Sequence, residues 1–427
     1  RPRAPYAPVS LAAGRRWYKG DFHVHSAESG DATATLDEIA RLARDRGLDF
    51  VNLSDHNTDS HLELAAAAQP TYPDVLFLRG AEITTYAGHG NAVGLPTYVD
   101  HRIGYRGRTI GQVLDDVAAQ GALFIVNHPS LDLGDNCIGC AWKHPDTPWE
   151  RVAGLEIITG KWEAVEHLFV PRAMKLWDDL ADQGFRIAPI GGSDDHRAGA
   201  GTGFTDSRIG SPTTLVLADE LSEAAILEGL RRGRTIVQLG GPDDPRVELR
   251  LGAAEIGDDV EGVETAALDV AVSGGAGTFL QLWRDGAKLE QVAVTGDDFR
   301  HRFEDRPGAA DHRYRVELTT DLHQRLVVTG HIYVHGVAGS GCGCRAGDGL
   351  GGTLAGVPVL LLTLRRRRRL RRLADRQELS NECETALERA PRGADLGAKI
   401  SVRHASNEDF PADPRFIVVR DPRSSPQ

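Results

Sequence analysis

Asp21-Phe22-His23-Val24-His25-Ser26 closes an apolar run near the amino end of the chain, and how it is read decides the fold. In an extended strand the side chains alternate faces, so His23 and His25 share one side while Val24 faces the other. Two imidazoles on one side can grip one metal ion, although such a pair is a weak signal alone. Further along stand Ser54-Asp55-His56-Asn57, Glu82, His89, His128 and Asp194-Asp195-His196, several directly after strand-like runs. That recurrence makes the strand end a candidate metal centre.

Outward from this stretch the chain repeats one pattern. Four times an amphipathic helix closes on glycine and an apolar strand begins at once: at Gly47 before Leu48-Asp49-Phe50-Val51, Gly121 before Ala122–Val126, Gly184 before Phe185–Ala188, and Gly233 before Arg234–Val237. Glycine adopts the left-handed conformation that ends such helices at little cost. The strands are near-continuous apolar runs, as expected when both faces are covered, so the class is α/β with parallel strands. Further strands at Val75–Leu78, Ala92–Leu95, Leu155–Ile158 and Thr214–Leu217 favour a barrel over an open sheet. In a barrel, ligands sit at the carboxyl ends of strands, where the His and acidic clusters fall. After Gly240-Gly241-Pro242 the period changes to two, in runs such as Arg246–Arg250 and Leu268–Val272, which predicts a small β-sandwich. The expected organisation is a lead-in over 1–16, a barrel over 17–240, a sandwich over 241–336, a Cys/Gly-rich apolar segment with an arginine cluster over 337–372, and a largely disordered tail over 373–427.

With 427 residues, 41% of them hydrophobic, the chain can bury a large core and divide into domains. Its net charge of −12 is unevenly held: 16 basic against 11 acidic residues from Ser340 onward leave the preceding residues at −17. An acidic body repels a phosphate backbone, so the expected partner is a small-molecule substrate and not nucleic acid.

Together these spaced motifs resemble the PHP (polymerase and histidinol phosphatase) family, and within it the branch typified by a carbaryl hydrolase. The resemblance covers roughly Trp17 to Val237 and implies a distorted seven-stranded β/α barrel with two or three divalent metal ions. Position by position it implies His23, His25, Asp31, His56, Glu82, His89, His128, Asp194 and His196 as ligands, with Glu82 bridging. Glu82, His56, Asp194 and His196 are the catalytic candidates, and Arg197 is a candidate for an anionic group of the substrate.

The residue types carry their own chemistry. Imidazoles with carboxylates suit Zn, Mn or Fe, and a bound divalent ion lowers the pKa of its water to about 7, so hydrolysis follows at neutral pH. Metal-dependent hydrolysis of small phosphate esters is the leading expectation. Carbamate or carboxylic ester hydrolysis is the alternative, and a non-catalytic surface protein that retains metals is a second. Asp55 and Asp195 are expected behind the ligands, orienting them. His61, His101, His144 and His167 lie outside the motifs and are expected on the surface. Trp142, Trp149 and Trp162 could wall an apolar pocket or simply pack under a long loop. Cys137-Ile138-Gly139-Cys140 is a single CxxC, read as a disulfide or two free thiols and not as a zinc site.

Cys342-Gly343-Cys344, the small apolar run Gly349–Leu364 and seven arginines in the eight positions Arg365–Arg372 resemble the tripartite C-terminal sorting signal of myxobacterial surface proteins. That resemblance implies C-terminal membrane or surface anchoring and an extracytoplasmic, periplasmic or cell-surface location. The alternative is a cytoplasmic protein with a basic linker.

Overall fold

The computed structural model describes residues 9–134, 137–203 and 206–336. The expected sorting segment and tail, beyond 336, lie outside the described residues. No helix among the described residues is long and apolar enough to cross a membrane.

The first half alternates strands β1 (Ser10–Val24), β2 (Phe50–Leu53), β3 (Leu76–Leu78), β4 (Gly80–Thr85), β5 (Gly88–Val93), β6 (Leu123–Val126), β7 (Val152–Thr159), β8 (Ala188–Gly192), β9 (Thr213–Ser222) and β10 (Thr235–Gln238) with helices. These are α1 (Leu36–Asp45), α2 (His61–Ala68), α3 (Ile110–Ala119), α4 (Trp162–Val165), α5 (Val170–Asp182) and α6 (Glu223–Arg231). Capping boxes start α1, between Thr35 and Glu38, and α3, between Thr109 and Gln112. The glycines read as helix closures, Gly47, Gly121, Gly184 and Gly233, all have positive φ.

The strands form a mixed α/β arrangement of several sheets, and the described residues show no closed seven-stranded parallel ladder. In one sheet β3, β2 and β1 are parallel, but β9 and β10 follow antiparallel. In a second, β6, β7 and β8 are parallel, while β5 runs antiparallel to both β4 and β6. The tight turn between Thr85 and Gly88 causes that reversal, since a hairpin returns the chain beside itself. Isolated parallel bridges at Val24↔Asp195 and His56↔Glu82 link the carboxyl ends of β1 and β2 to the two edges of the second sheet. Phe22, Phe50, Leu78, Val93, Ile125, Ile190 and Val216, drawn from both sheets, meet in one buried core, with Ile226 and Leu230 of α6 packed against them.

The second half consists of β11 (Arg246–Leu251), β12 (Ala254–Glu255), β13 (Asp259–Glu261), β14 (Ala266–Ser273), β15 (Phe279–Arg284), β16 (Ala287–Ala293), β17 (Asp298–Asp305), β18 (His312–Thr319), β19 (Arg325–Thr329) and β20 (Ile332–His335). Strands β12-β11-β14-β17 make one sheet, and alternate residues such as Val247, Leu249, Val270 and Val272 are buried against Leu282, Val316 and Val327 of the other. That other sheet is continuous with the first half, because β19 pairs with β10 from Ile236↔Thr329 to Gln238↔Val327. Helix α5 covers its outer face, where Trp177 stacks on His331 and Asp178 holds the buried Arg315 at 2.6 Å.

Candidate metal centre

The motifs converge because the strand ends do. His23 and His25 leave β1, His56 follows β2, Glu82 is on β4, His128 follows β6, and Asp194 and His196 follow β8. His89 sits at the start of β5; since β5 runs the other way, its amino end meets the carboxyl ends of its neighbours, with His89 opposite Thr84. Asp31 arrives on the loop ahead of α1. All nine sequence-predicted ligands therefore gather in one place. Arg197, the tenth site candidate, is exposed on the loop after His196.

At the buried end Glu82 is the hub. Its Oε1 lies 3.4 Å from Nε2 of His23, 3.4 Å from Nε2 of His128 and 3.5 Å from Nδ1 of His89, while Oε2 lies 2.7 Å from Nδ1 of His56. Asp194 Oδ1 sits 3.2 Å and 3.1 Å from Nε2 of His23 and His25. At the open end Asp31 Oδ2 faces Nε2 of His56 at 3.3 Å and of His196 at 3.6 Å, and the His25 ring stacks between those of His56 and His196. Three donor groups result: His23 with Glu82 and His128, His23 with His25 and Asp194, and His25 with His56 and His196. A fourth brings Cys140 near His89 and His128, but Cys140 is paired with Cys137 as a disulfide, and a disulfide sulfur is not a thiolate ligand.

Hydrogen bonds on the far side of the rings aim the donors. Nδ1 of His23 meets Glu156 Oε1 at 2.9 Å, Nδ1 of His25 meets Ser29 Oγ at 3.2 Å, and Nδ1 of His128 donates to the Cys140 carbonyl at 2.8 Å. The carboxylate and the carbonyl can only accept, so they place the proton of His23 and His128 on Nδ1, and all three bonds turn Nε2 inward. Nε2 of His23, His25 and His89 is buried without a hydrogen-bond partner. Backbone strain marks the same spot, with positive φ at Asn57, His128 and Asp194.

The electrostatics call for cations. Burial alone would depress His23, yet Asp194, Glu156 and Glu82 outweigh it and hold its pKa well above the ordinary value. Against the same burial penalty, carboxylates lift His56 to about 10 and His196 to about 9. His25 goes the other way, to about 3, driven by burial. Glu82 and Asp194 stay below the usual carboxylate range despite burial, because imidazoles surround them. The cluster thus draws positive charge, and the donor types fit divalent transition ions.

Two expectations are refined and one is corrected. Asp55 accepts from the backbone and hydroxyl of Ser26, both at 2.6 Å, and Asp195 accepts from the backbone of Arg197, Gly199 and Ile209, so they order the loops that carry ligands. His61 is not on the surface: it is fully buried, bound to the Gly80 carbonyl at 2.8 Å and lying 3.1 Å from Asp55. Its place at the start of α2, facing the core, overrides its polarity. Trp142, Trp149 and Trp162 pack against the core formed around α3 and α5.

Sequence reading missed four supporting residues. Glu156 binds His23 and takes the His128 backbone N–H at 2.7 Å, and Asn127 donates to Glu82 at 2.8 Å. Thr84 Oγ1 lies 2.7 Å from His56 Nδ1. Asp21 is buried, accepts from the backbone of His23, Ser193 and Gly210, and is pushed up to about 6 by burial. A cleft of about 460 Å³ begins beside this cluster at Asn57 and Thr84 and continues past Tyr86, Ile103 and Ile138.

No family model matches the chain, and no curated protein matches it. Among solved structures it is similar to a two-domain protein from Bacteroides vulgatus ATCC 8482 containing a predicted PHP-like metal-dependent phosphoesterase, at 20% identity over 78% of this chain and 99% of that one, TM-score 0.43. It is also similar to a protein from Bifidobacterium adolescentis ATCC 15703 provisionally described as a metal-dependent phosphoesterase, at 15% identity over 44% of this chain and 91% of that one, TM-score 0.30. Both scores are too low to carry a fold or a function across, and the site stands on this chain's own residues.

Proposed function

We propose that the chain is a metal-dependent hydrolase of the PHP type acting on small phosphate esters. One observation carries the reading: buried Nε2 atoms of His23 and His25, without hydrogen-bond partners, converge beside the carboxylates of Glu82 and Asp194. Leaving such buried atoms unpaired is costly unless something else satisfies them. Two or three Zn, Mn or Fe ions fit these donors, and when bound they supply Lewis acidity and a water of lowered pKa.

The protein's own residues do the rest. Glu82 touches four imidazoles and would hold the ions together with them. Glu156, Ser29 and the Cys140 carbonyl fix which nitrogen of His23, His25 and His128 faces inward. His56, His196 and Asp31 line the exposed side, where protons of substrate and water exchange with solvent, and Arg197, next in the chain after His196, is the candidate for an anionic group of the substrate. A second reading, carbamate or carboxylic ester hydrolysis, is favoured by the cleft, whose formal charge, Arg102, is already forked onto Asp100 at 2.8 and 2.9 Å.

The test is metal analysis of the purified protein with a panel of phosphomonoesters, phosphodiesters, aryl carbamates and aryl esters, run with Mn and with Zn. Two or three ions per chain and turnover led by phosphate esters are expected, abolished by a chelator. Turnover confined to carbamates or esters would select the second reading, bound metal without any turnover would leave a binding protein, and a chelator-resistant rate would place the chemistry elsewhere.

A further inference from the structure

We propose that the cleft beside the cluster is a subsite for an uncharged aromatic or branched apolar group of the substrate, recognised by Tyr86, Ile103 and Ile138; this rests on the hydrolase reading above.

Position comes first. The inner end of the cleft is Asn57 and Thr84, the chain neighbour and the hydrogen-bond partner of His56. A substrate held at the cluster can therefore extend a group into it.

Several polar groups on its walls already have partners within the protein. The Asn57 amide exchanges two 3.0 Å hydrogen bonds with the Thr84 backbone, and Thr85 Oγ1 donates to the Gly88 carbonyl at 2.8 Å. The Arg102 guanidinium is committed to Asp100. Burial depresses His101 and His144, which leaves both uncharged at neutral pH. What remains to meet a ligand is more carbon than polar atom. Tyr86 is 90% exposed and Ile138 is 62% exposed, large apolar groups left in water at the cleft.

The wall is also held in place before anything binds. Ile138 lies between the disulfide-bonded Cys137 and Cys140, and a Cβ on Gly139 would collide with the Thr85 carbonyl, so this loop lies directly against β4. The volume falls within the range of small-molecule sites and suits one or two rings.

The test compares the full-length, metal-loaded chain with its Tyr86→Ala/Ile138→Ala variant. Both side chains stand in solvent, so an unchanged melting temperature is expected. Titration with 1-naphthol, followed by its fluorescence, should show saturable binding that weakens about tenfold in the variant. With 1-naphthyl phosphate the variant's KM should rise by about the same factor with kcat little changed, while glycerol phosphate is unaffected. No naphthol binding, equal binding by both proteins, or equal losses on both esters would overturn the subsite. Naphthol binding that is lost in the variant supports it even where no ester turns over, a result in which the hydrolase reading fails alone.

Discussion

Glu82 and Glu156 are both buried carboxylates facing His23, yet they act on opposite nitrogens of its ring. Glu82 lies on the Nε2 side among four imidazoles, where a cation belongs, so Glu82→Gln is expected to lower both metal content, read by elemental analysis, and turnover. Full activity in that variant would remove the bridging role. Glu156 lies on the Nδ1 side and positions the ring. Glu156→Gln should weaken metal affinity by about 10–100-fold, measured by competition with a chromogenic chelator, and unchanged affinity would make Glu156 a packing residue only. At this scale the sequence was legible where residues are contiguous: His23-Val24-His25 and Asp194-Asp195-His196 read directly. Glu156 announced itself only as a charge inside Leu155-Glu156-Ile157-Ile158, and its partner, 133 positions away, is set by the pairing of strands. His61 misled because nothing local says which face of α2 meets the core.

At the scale of elements, the hairpin β4–β5 and helix α5 decide most. Reversal of β5 brings His89 to the same end as Glu82, which a parallel reading of Ala92–Leu95 would not place there. Helix α5 meets the second half through the stack of Trp177 on His331, whose ring centroids are 4.4 Å apart. Burial holds His331 well below the ordinary imidazole value of 6.5, with Arg315 and Arg313 adding to the effect. The unfolded chain therefore takes up a proton that the folded chain refuses. Stability contributed by neutral His331 is intact above pH 6.5 and is lost as pH falls below it, by at most about 1.4 kcal/mol per pH unit. His331→Phe keeps the stack and removes the proton, so its melting temperature should fall less between pH 7 and pH 5 than that of the parent. Parallel slopes in the two proteins would show that the proton is taken up elsewhere.

Over the whole molecule, one sheet runs through both halves. Strand β10 pairs with β19, Leu215 and Ile236 belong to the core of the second half, and Val328 belongs to the core around α3 and α5. A chain cut after Gly240 would bare the β10 edge and both apolar faces, so it is expected to be insoluble or to melt well below the full chain, as circular dichroism would show. Location is tested by the cysteines. An exported chain should carry the Cys137–Cys140 disulfide and a cut or lipid-modified end near Cys342, read by mass spectrometry of protein from its native cells. An intact chain ending at Gln427 in the soluble cytoplasm, with both thiols free, would refute surface anchoring. By itself the sequence determined the α/β class, the glycine-closed helices and the identity of the nine clustered His, Asp and Glu residues, because these depend on local periodicity and on residue chemistry. Only the tertiary structure decided that two mixed sheets, bridged at Val24↔Asp195 and His56↔Glu82, replace a closed parallel ladder, that Glu156 and the Cys140 carbonyl aim the imidazoles, and that a cleft opens at Asn57 and Thr84 beside the cluster. Those features depend on which strand ends meet, and that is settled by packing between segments far apart in the chain.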